Sequence, residues 1–155
     1  HCFEPEESEF NCLIKNTNKT FTKSYNIPLW KEKKEISFYS ANESHDSSCF
    51  ETEDYTNVVK KKADTLNNIF FEFIKKEIPI KLLKLEAEGA EPEILEGAHL
   101  LLPYVKYIVA DVGAEKGLNF ETTLVNTINY LNKNNFELVE FGSPRLMCLF
   151  KNKKI

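Results

Sequence analysis

Ile80 to Gly97 constrains what this chain can fold into more than any other stretch. It opens as a hydrophobic run, Ile80, Leu82, Leu83 and Leu85, of a length that suits a strand buried on both faces. Lys84, Glu86 and Glu88 alternate at period two and so share one face of the strand's end. Gly89 permits a sharp turn. Pro92 suits the first turn of a helix, because its missing N–H would have no partner there anyway. That helix is expected to bury Ile94, Leu95 and Ala98, with Leu101 and Leu102 beyond. The stretch reads as strand, acidic turn, helix. In open α/β sheets ligands bind beyond the carboxyl ends of the strands, where these carboxylates would stand.

The remaining bulk properties set limits around that unit. A chain of 155 residues suits one domain, residues 1–155, and 42% hydrophobic content with 12 Phe is ample for one core. A net charge of −4 argues against a nucleic-acid partner. Two basic runs, Lys31, Lys33 and Lys34, and Lys60 to Lys62, read as solvated surface. Cys2, Cys12, Cys49 and Cys148 form no C-x-x-C pair and read as free thiols of a reducing, cytoplasmic compartment. No run approaches transmembrane length and no secretory signal is read.

Taken in order, His1 to Phe3 is expected to end a strand, and Glu4-Pro5-Glu6-Glu7 to open a helix with Phe10, Leu13 and Ile14 on its apolar face. Phe21 to Trp30 reads as a strand bent at Pro28, and Glu35 to Ser40 and Val58 to Lys62 as short strands. Ala41 to Tyr55 reads as a long polar loop, in which His45 and Asp46 are lid candidates. Asp64 or Thr65 caps one helix carrying Leu66, Ile69, Phe70, Phe73 and Ile74 on a single face. Tyr104 to Ala110 is another buried strand, followed by the glycine-bounded acidic loop from Asp111 to Gly117. Asn119 is expected to cap a helix through Leu131, and Phe136 to Phe150 to form a hairpin. The predicted fold class is α/β: a mostly parallel sheet with a C-terminal antiparallel hairpin.

Several of these segments together resemble the FkbM-type S-adenosylmethionine-dependent methyltransferases. The resemblance rests on Phe3-Glu4-Pro5, on Leu82 to Glu91 with Leu95, Gly97 and Ala98, on Ala63-Asp64-Thr65-Leu66-Asn67, and on Asp111 to Gly117. It implies a Rossmann-like sheet, S-adenosylmethionine as cofactor, and methyl transfer to oxygen. It also implies that Glu4, at the end of the family's second strand, accepts hydrogen bonds from the cofactor's ribose hydroxyls. Glu86 stands where the family usually has Asp, and Asn67 where it often has Asp. The family's first strand and glycine-rich cofactor loop would precede Phe3 by about 20–30 residues, and only two residues stand there. The resemblance therefore implies an N-terminally incomplete enzyme. The second strand and the Ile80 strand should either face a gap or pair directly.

Two readings of Lys84, Glu86 and Glu88 stand side by side. They form a salt-bridged strand end, or Glu86 and Glu88 act as the base for a hydroxyl acceptor, with a pKa raised by burial or by each other. Asp111 and Glu115 are expected to face the same crevice and to contact the acceptor; a metal site there ranks below a metal-free one. The Gly113 to Gly117 loop does not match a phosphate-binding motif. The expected function is a fragment of an S-adenosylmethionine-dependent O-methyltransferase acting on a glycan or small-molecule hydroxyl. The alternatives are a non-catalytic Rossmann-like interaction module without the cofactor loop, and a different nucleotide-binding enzyme on the same sheet.

Overall fold

The computed structural model describes residues 1–17, 21–41, 47–53 and 55–155. In chain order its elements are β1 (Cys2–Phe3), α1 (Glu7–Thr17), β2 (Ser24–Tyr25), β3 (Lys34–Ser40), β4 (Asn57–Ala63), α2 (Leu66–Ile69), α3 (Phe71–Lys75) and β5 (Ile80–Leu85). There follow α4 (Glu91–Glu96), β6 (Val105–Asp111), β7 (Ala114–Lys116), β8 (Glu121–Thr122), α5 (Leu124–Lys133), β9 (Phe136–Gly142) and β10 (Met147–Asn152).

The hydrophobic run at Ile80 forms β5, which runs parallel to β6 from Ile80 opposite Val105 to Leu85 opposite Ala110. β10 lies antiparallel between β6 and β9, giving the strand order β5-β6-β10-β9. The architecture is thus mixed α/β, and two of the three pairings in its main sheet are antiparallel rather than mostly parallel. The expected C-terminal hairpin is β9 and β10. The short β1 and β2 pair with each other in parallel, Cys2 opposite Ser24, while β3 and β4 make a separate antiparallel pair. β1 and β5 do not pair directly.

One hydrophobic cluster holds these layers together. Leu95, Ala98, Leu101 and Leu102 pack from α4 and the turns after it onto Val105 and Ile108 of β6. Leu131 of α5 and Phe136 of β9 close the same core. Burying each such side chain contributes about 1.5–3 kcal/mol. Among the described residues no helix is long and apolar enough to cross a membrane. The four cysteines are unpaired; Cys148 is buried and Cys12 exposed.

Several expected boundaries shift. Only Ser24–Tyr25 of the Phe21–Trp30 stretch is strand. The helix expected after Asp64 is two short ones. Thr65 caps the first by accepting from Asn68 N–H, and Phe70, at φ −102° and ψ 22°, interrupts the run. The break lets Phe70 pack edge-on against Phe73 at 5.3 Å within the core cluster. α5 begins at Leu124, with Thr123 at its N-cap position, because Phe120 takes φ +50° and the two residues after it form β8. His99 lies beyond α4 in a turn, where its Nδ1 sits 3.0 Å from both Asn67 Nδ2 and Glu96 O. His45 and Asp46 fall outside the described residues.

Candidate functional site

The carboxyl ends of β1 and β5 are tied together through β3. Ser40 Oγ donates to Glu6 Oε2 at 2.5 Å. Ser48, which exchanges backbone hydrogen bonds with Tyr39 at 2.8 and 2.9 Å, donates its Oγ–H to Glu88 O at 2.9 Å. The amino ends also meet: the His1 ring packs on Phe73 at 5.6 Å, and Ile78 N–H donates to Phe73 O at 2.9 Å just before β5. β1 and β5 therefore point the same way on either side of a cavity of about 740 Å³. Its walls include Phe3, Phe70, Leu83 and Ile94, and Glu4, Ser48, Glu86 and Glu88 also line it. The size and lining are those of small-molecule pockets. The Ser47–Phe50 segment of the long loop is thus docked on the β5–α4 turn.

Glu4 stands both ahead of α1 and beside the cavity. Its Oε1 accepts from Glu6 N–H at 2.7 Å, as an acid ahead of a helix should, and the residue is among those that line the cavity. Burial pushes its pKa up, opposed in part by the hydrogen bond from Glu6.

Glu86 and Glu88 part company. The strand ends at Leu85, and Glu88 takes φ +47°, so the period-two face does not continue past Glu86. Glu86 Oε2 accepts from Lys84 Nζ, and its Oε1 lies 3.3 Å from Arg145 Nη1. The Lys84 hydrogen bond, helped by the charges of Lys84 and Arg145, outweighs burial and holds this carboxyl below the ordinary range. A lowered pKa makes Glu86 a weaker proton acceptor than a base role calls for, so the ion-pair reading gains.

Asp111 and Glu115 do join Glu86, through a residue that sequence reasoning passed over. Arg145, in the turn between β9 and β10, sets Nε 3.3 Å from Asp111 Oδ2 and Nη2 3.9 Å from Glu115 Oε1. Asp111 is 1% exposed. Its Oδ1 accepts from Gly113 N–H at 3.2 Å. Its Oδ2 accepts no hydrogen bond, so Arg145 Nε neutralises that oxygen by proximity without being aligned to donate. One signal was available: Arg145 is the chain's single arginine, and arginine suits several carboxylates at once where lysine does not.

Glu91 was also missed. It is 1% exposed, and its Oε1 accepts from Ala87 N–H at 2.9 Å while its Oε2 accepts from Thr123 Oγ–H at 3.2 Å. It braces the acidic turn against the start of α5. Beside it Lys116 bonds Glu93 at 2.7 Å and lies 4.4 Å over the Phe50 ring. Gly89 permits that approach: a Cβ there would come within 2.6 Å of Lys116 Cβ. Among the described residues no group of three or more His, Cys, Asp or Glu side chains is placed to hold a metal ion.

Fold and site together define a mixed α/β protein with carboxylates gathered at the carboxyl ends of its parallel strands. No family model, no curated protein and no solved structure matches the chain.

Proposed function

We propose that this chain belongs to a Rossmann-like, S-adenosylmethionine-dependent O-methyltransferase. One observation carries the reading: Glu4 and Glu86, from the ends of two strands that run the same way, line one cavity of small-molecule size. The residues present fit the ribose end of the cofactor, since a carboxylate such as Glu4 can accept from two vicinal hydroxyls. When bound, the cofactor supplies a methyl group already activated on a sulfonium. The chain's own residues then have three tasks. Glu4 holds the ribose, Glu88 receives the proton of an acceptor hydroxyl that the ion-paired Glu86 orients, and Asp111 and Glu115 steady the acceptor. With an activated donor, orientation supplies most of the rate. The acceptor is a hydroxyl of a glycan or small molecule.

The ion-paired state of Glu86 favours a second reading, a Rossmann-like interaction module without catalysis. Calorimetry with S-adenosylmethionine separates the two. This chain is expected to bind it weakly or not at all, and a form extended upstream of His1 to bind it in the micromolar range, with Glu4→Ala weakening that affinity at least tenfold. Micromolar binding by the present chain would show that no further strand is needed. Absence of binding by both forms would leave the interaction module.

A further inference from the structure

β9 is the outermost strand of the main sheet, and every residue in it after Phe136 is exposed. Leu138, Val139 and Phe141 are 39%, 53% and 65% exposed. Among the described residues no strand pairs with its outer edge, so a row of backbone N–H and C=O groups there stands open to a further strand. Such edges are commonly blunted by lysine or proline. β4 carries Lys60, Lys61 and Lys62, and β5 carries Lys81 and Lys84. β9 carries neither residue type; its charges are Glu137 and Glu140.

A bulge sets which residues of β9 share a face. Leu149 pairs with Glu140 and Phe150 with Leu138, so Val139 is the extra residue and joins Glu140 opposite Leu149. Directly paired residues point to the same side of a sheet. Leu138 and Phe141 therefore lie on the face of their partners Phe150 and Cys148, both of them buried. Glu137, Glu140 and Gly142 lie on the other face, with Lys151, Leu149 and Met147. A second β9 laid antiparallel matches face to face when Leu138 stands opposite Phe141 of the copy and Val139 opposite Glu140. Glu137 then meets Gly142, and no carboxylate faces another. Shifts of one or two residues set opposite faces against each other, and one of them also brings Glu137 onto Glu140.

We propose that β9 is a dimer interface: two copies of this chain pair antiparallel through it, about a two-fold axis between Val139 and Glu140, and join their sheets into one. The contact uses the same patch on both copies, so it closes at a dimer and does not propagate into a fibre. Each dimer gains two Leu138–Phe141 cross-strand pairs, which cover apolar surface on the core side of the sheet. A strand from another protein would have to reproduce this pattern of faces and charges, whereas a second copy carries it. One strand on each side makes a contact below the size of standard interfaces, so dissociation in the micromolar range is expected. The inference is independent of the methyltransferase reading.

Sedimentation velocity of the full chain over a wide concentration range should show monomer and dimer in exchange, with the dimer growing as concentration rises. Phe141→Lys places a charge opposite Leu138 of the copy, at a side chain already exposed, and should weaken dimerisation by about tenfold or more. Val139→Lys should act in the same way, and it serves alone if Phe141→Lys does not fold. In a mixture of isotope-labelled and unlabelled chains, filtered NOE spectra should connect the Leu138 methyls of one copy to the Phe141 ring of the other. Three results would overturn the proposal: a monomer at every concentration, a dimer undiminished by the lysine variants, or contacts between copies that leave out Leu138 and Phe141. No cofactor enters these measurements, so they stand apart from the calorimetry with S-adenosylmethionine.

Discussion

Gly97→Ala is expected to destabilise the protein by about 3 kcal/mol or more, a large share of the roughly 5–15 kcal/mol that holds such a domain folded. The sign is the informative part. Gly97 has an ordinary helical backbone, φ −71°, and Ala outranks Gly in helices by about 1 kcal/mol. Local propensity therefore predicts a stabilising change. The packing predicts the reverse, because a Cβ on Gly97 would lie 2.2 Å from Trp30 O and 3.2 Å from Lys31 Cα. Both are backbone atoms. They are held in place, since Trp30 N–H donates to Asp64 O at 2.9 Å and Asn67 N–H donates to Gly97 O at 3.0 Å. Thermal unfolding should show a fall of about 6–12 °C, at about 2–4 °C per kcal/mol for a chain of this size. An unchanged or raised midpoint would mean that the chain does not cross α4 as described.

Glu91→Ala is expected to cost about 3 kcal/mol. It strands the Ala87 N–H and the Thr123 hydroxyl that Glu91 satisfies, and each buried unsatisfied group costs about 1–3 kcal/mol. Glu91→Gln keeps the shape and an acceptor, and should cost about 1 kcal/mol or less. Wild type and these non-titrating variants also differ with pH. Burial raises the pKa of Glu91 above the ordinary 4.5, against the pull of its hydrogen bonds. A raised value means that the folded state favours the protonated form. The stability from this group is then fully present below the ordinary pKa and lost as pH rises through the raised one. Urea unfolding of wild type relative to Glu91→Gln should therefore show wild type losing ground as pH rises from about 4 to about 8. Glu86 acts in the opposite sense: its lowered pKa contributes stability above the ordinary value, lost as pH falls. A wild type that gains on Glu91→Gln over the same range would contradict the burial described for Glu91.

What was legible in the sequence was local. Ile80–Leu85 and the helix led by Pro92 declare themselves through a hydrophobic run and a proline whose physical consequences are fixed within a few residues. The hairpin from Phe136 and the strands near Glu35 and Val58 were legible for the same reason. The break at Phe70 was not, because the apolar positions from Leu66 to Ile74 fit one helix without interruption, and tertiary packing of the Phe70 ring decides against it. Phe120 likewise fits a helical face but sits at positive φ. At the site, the carboxylates at Glu86, Asp111 and Glu115 were legible as residues that follow buried strands. Their convergence on Arg145 was not. It depends on the β9–β10 hairpin folding back across the sheet, and no periodicity reports a contact between residues 59 positions apart. Glu91 gave no sign of its bracing role, because an acid beside Pro92 at a helix start is favourable in any case. Its partner Thr123 stands at the start of α5, 32 positions on, where sequence spacing could not find it.

The cavity between β1 and β5 is expected to receive a nucleoside-bearing cofactor at its Glu4 and Glu86 end. Nitrogen-15 correlation spectra recorded during titration with S-adenosylmethionine test it most directly, because they detect even millimolar binding and report where it occurs. Saturable shifts are expected in the backbone amides of Phe3, Glu4, Ser48 and Glu86 of a form extended upstream, with the same amides moving weakly or not at all in this chain and the exposed edge strand from Leu138 to Phe141 unmoved in both. Shifts confined to other surfaces, or a spectrum unchanged at saturating cofactor both for this chain and for a form extended upstream, would contradict it.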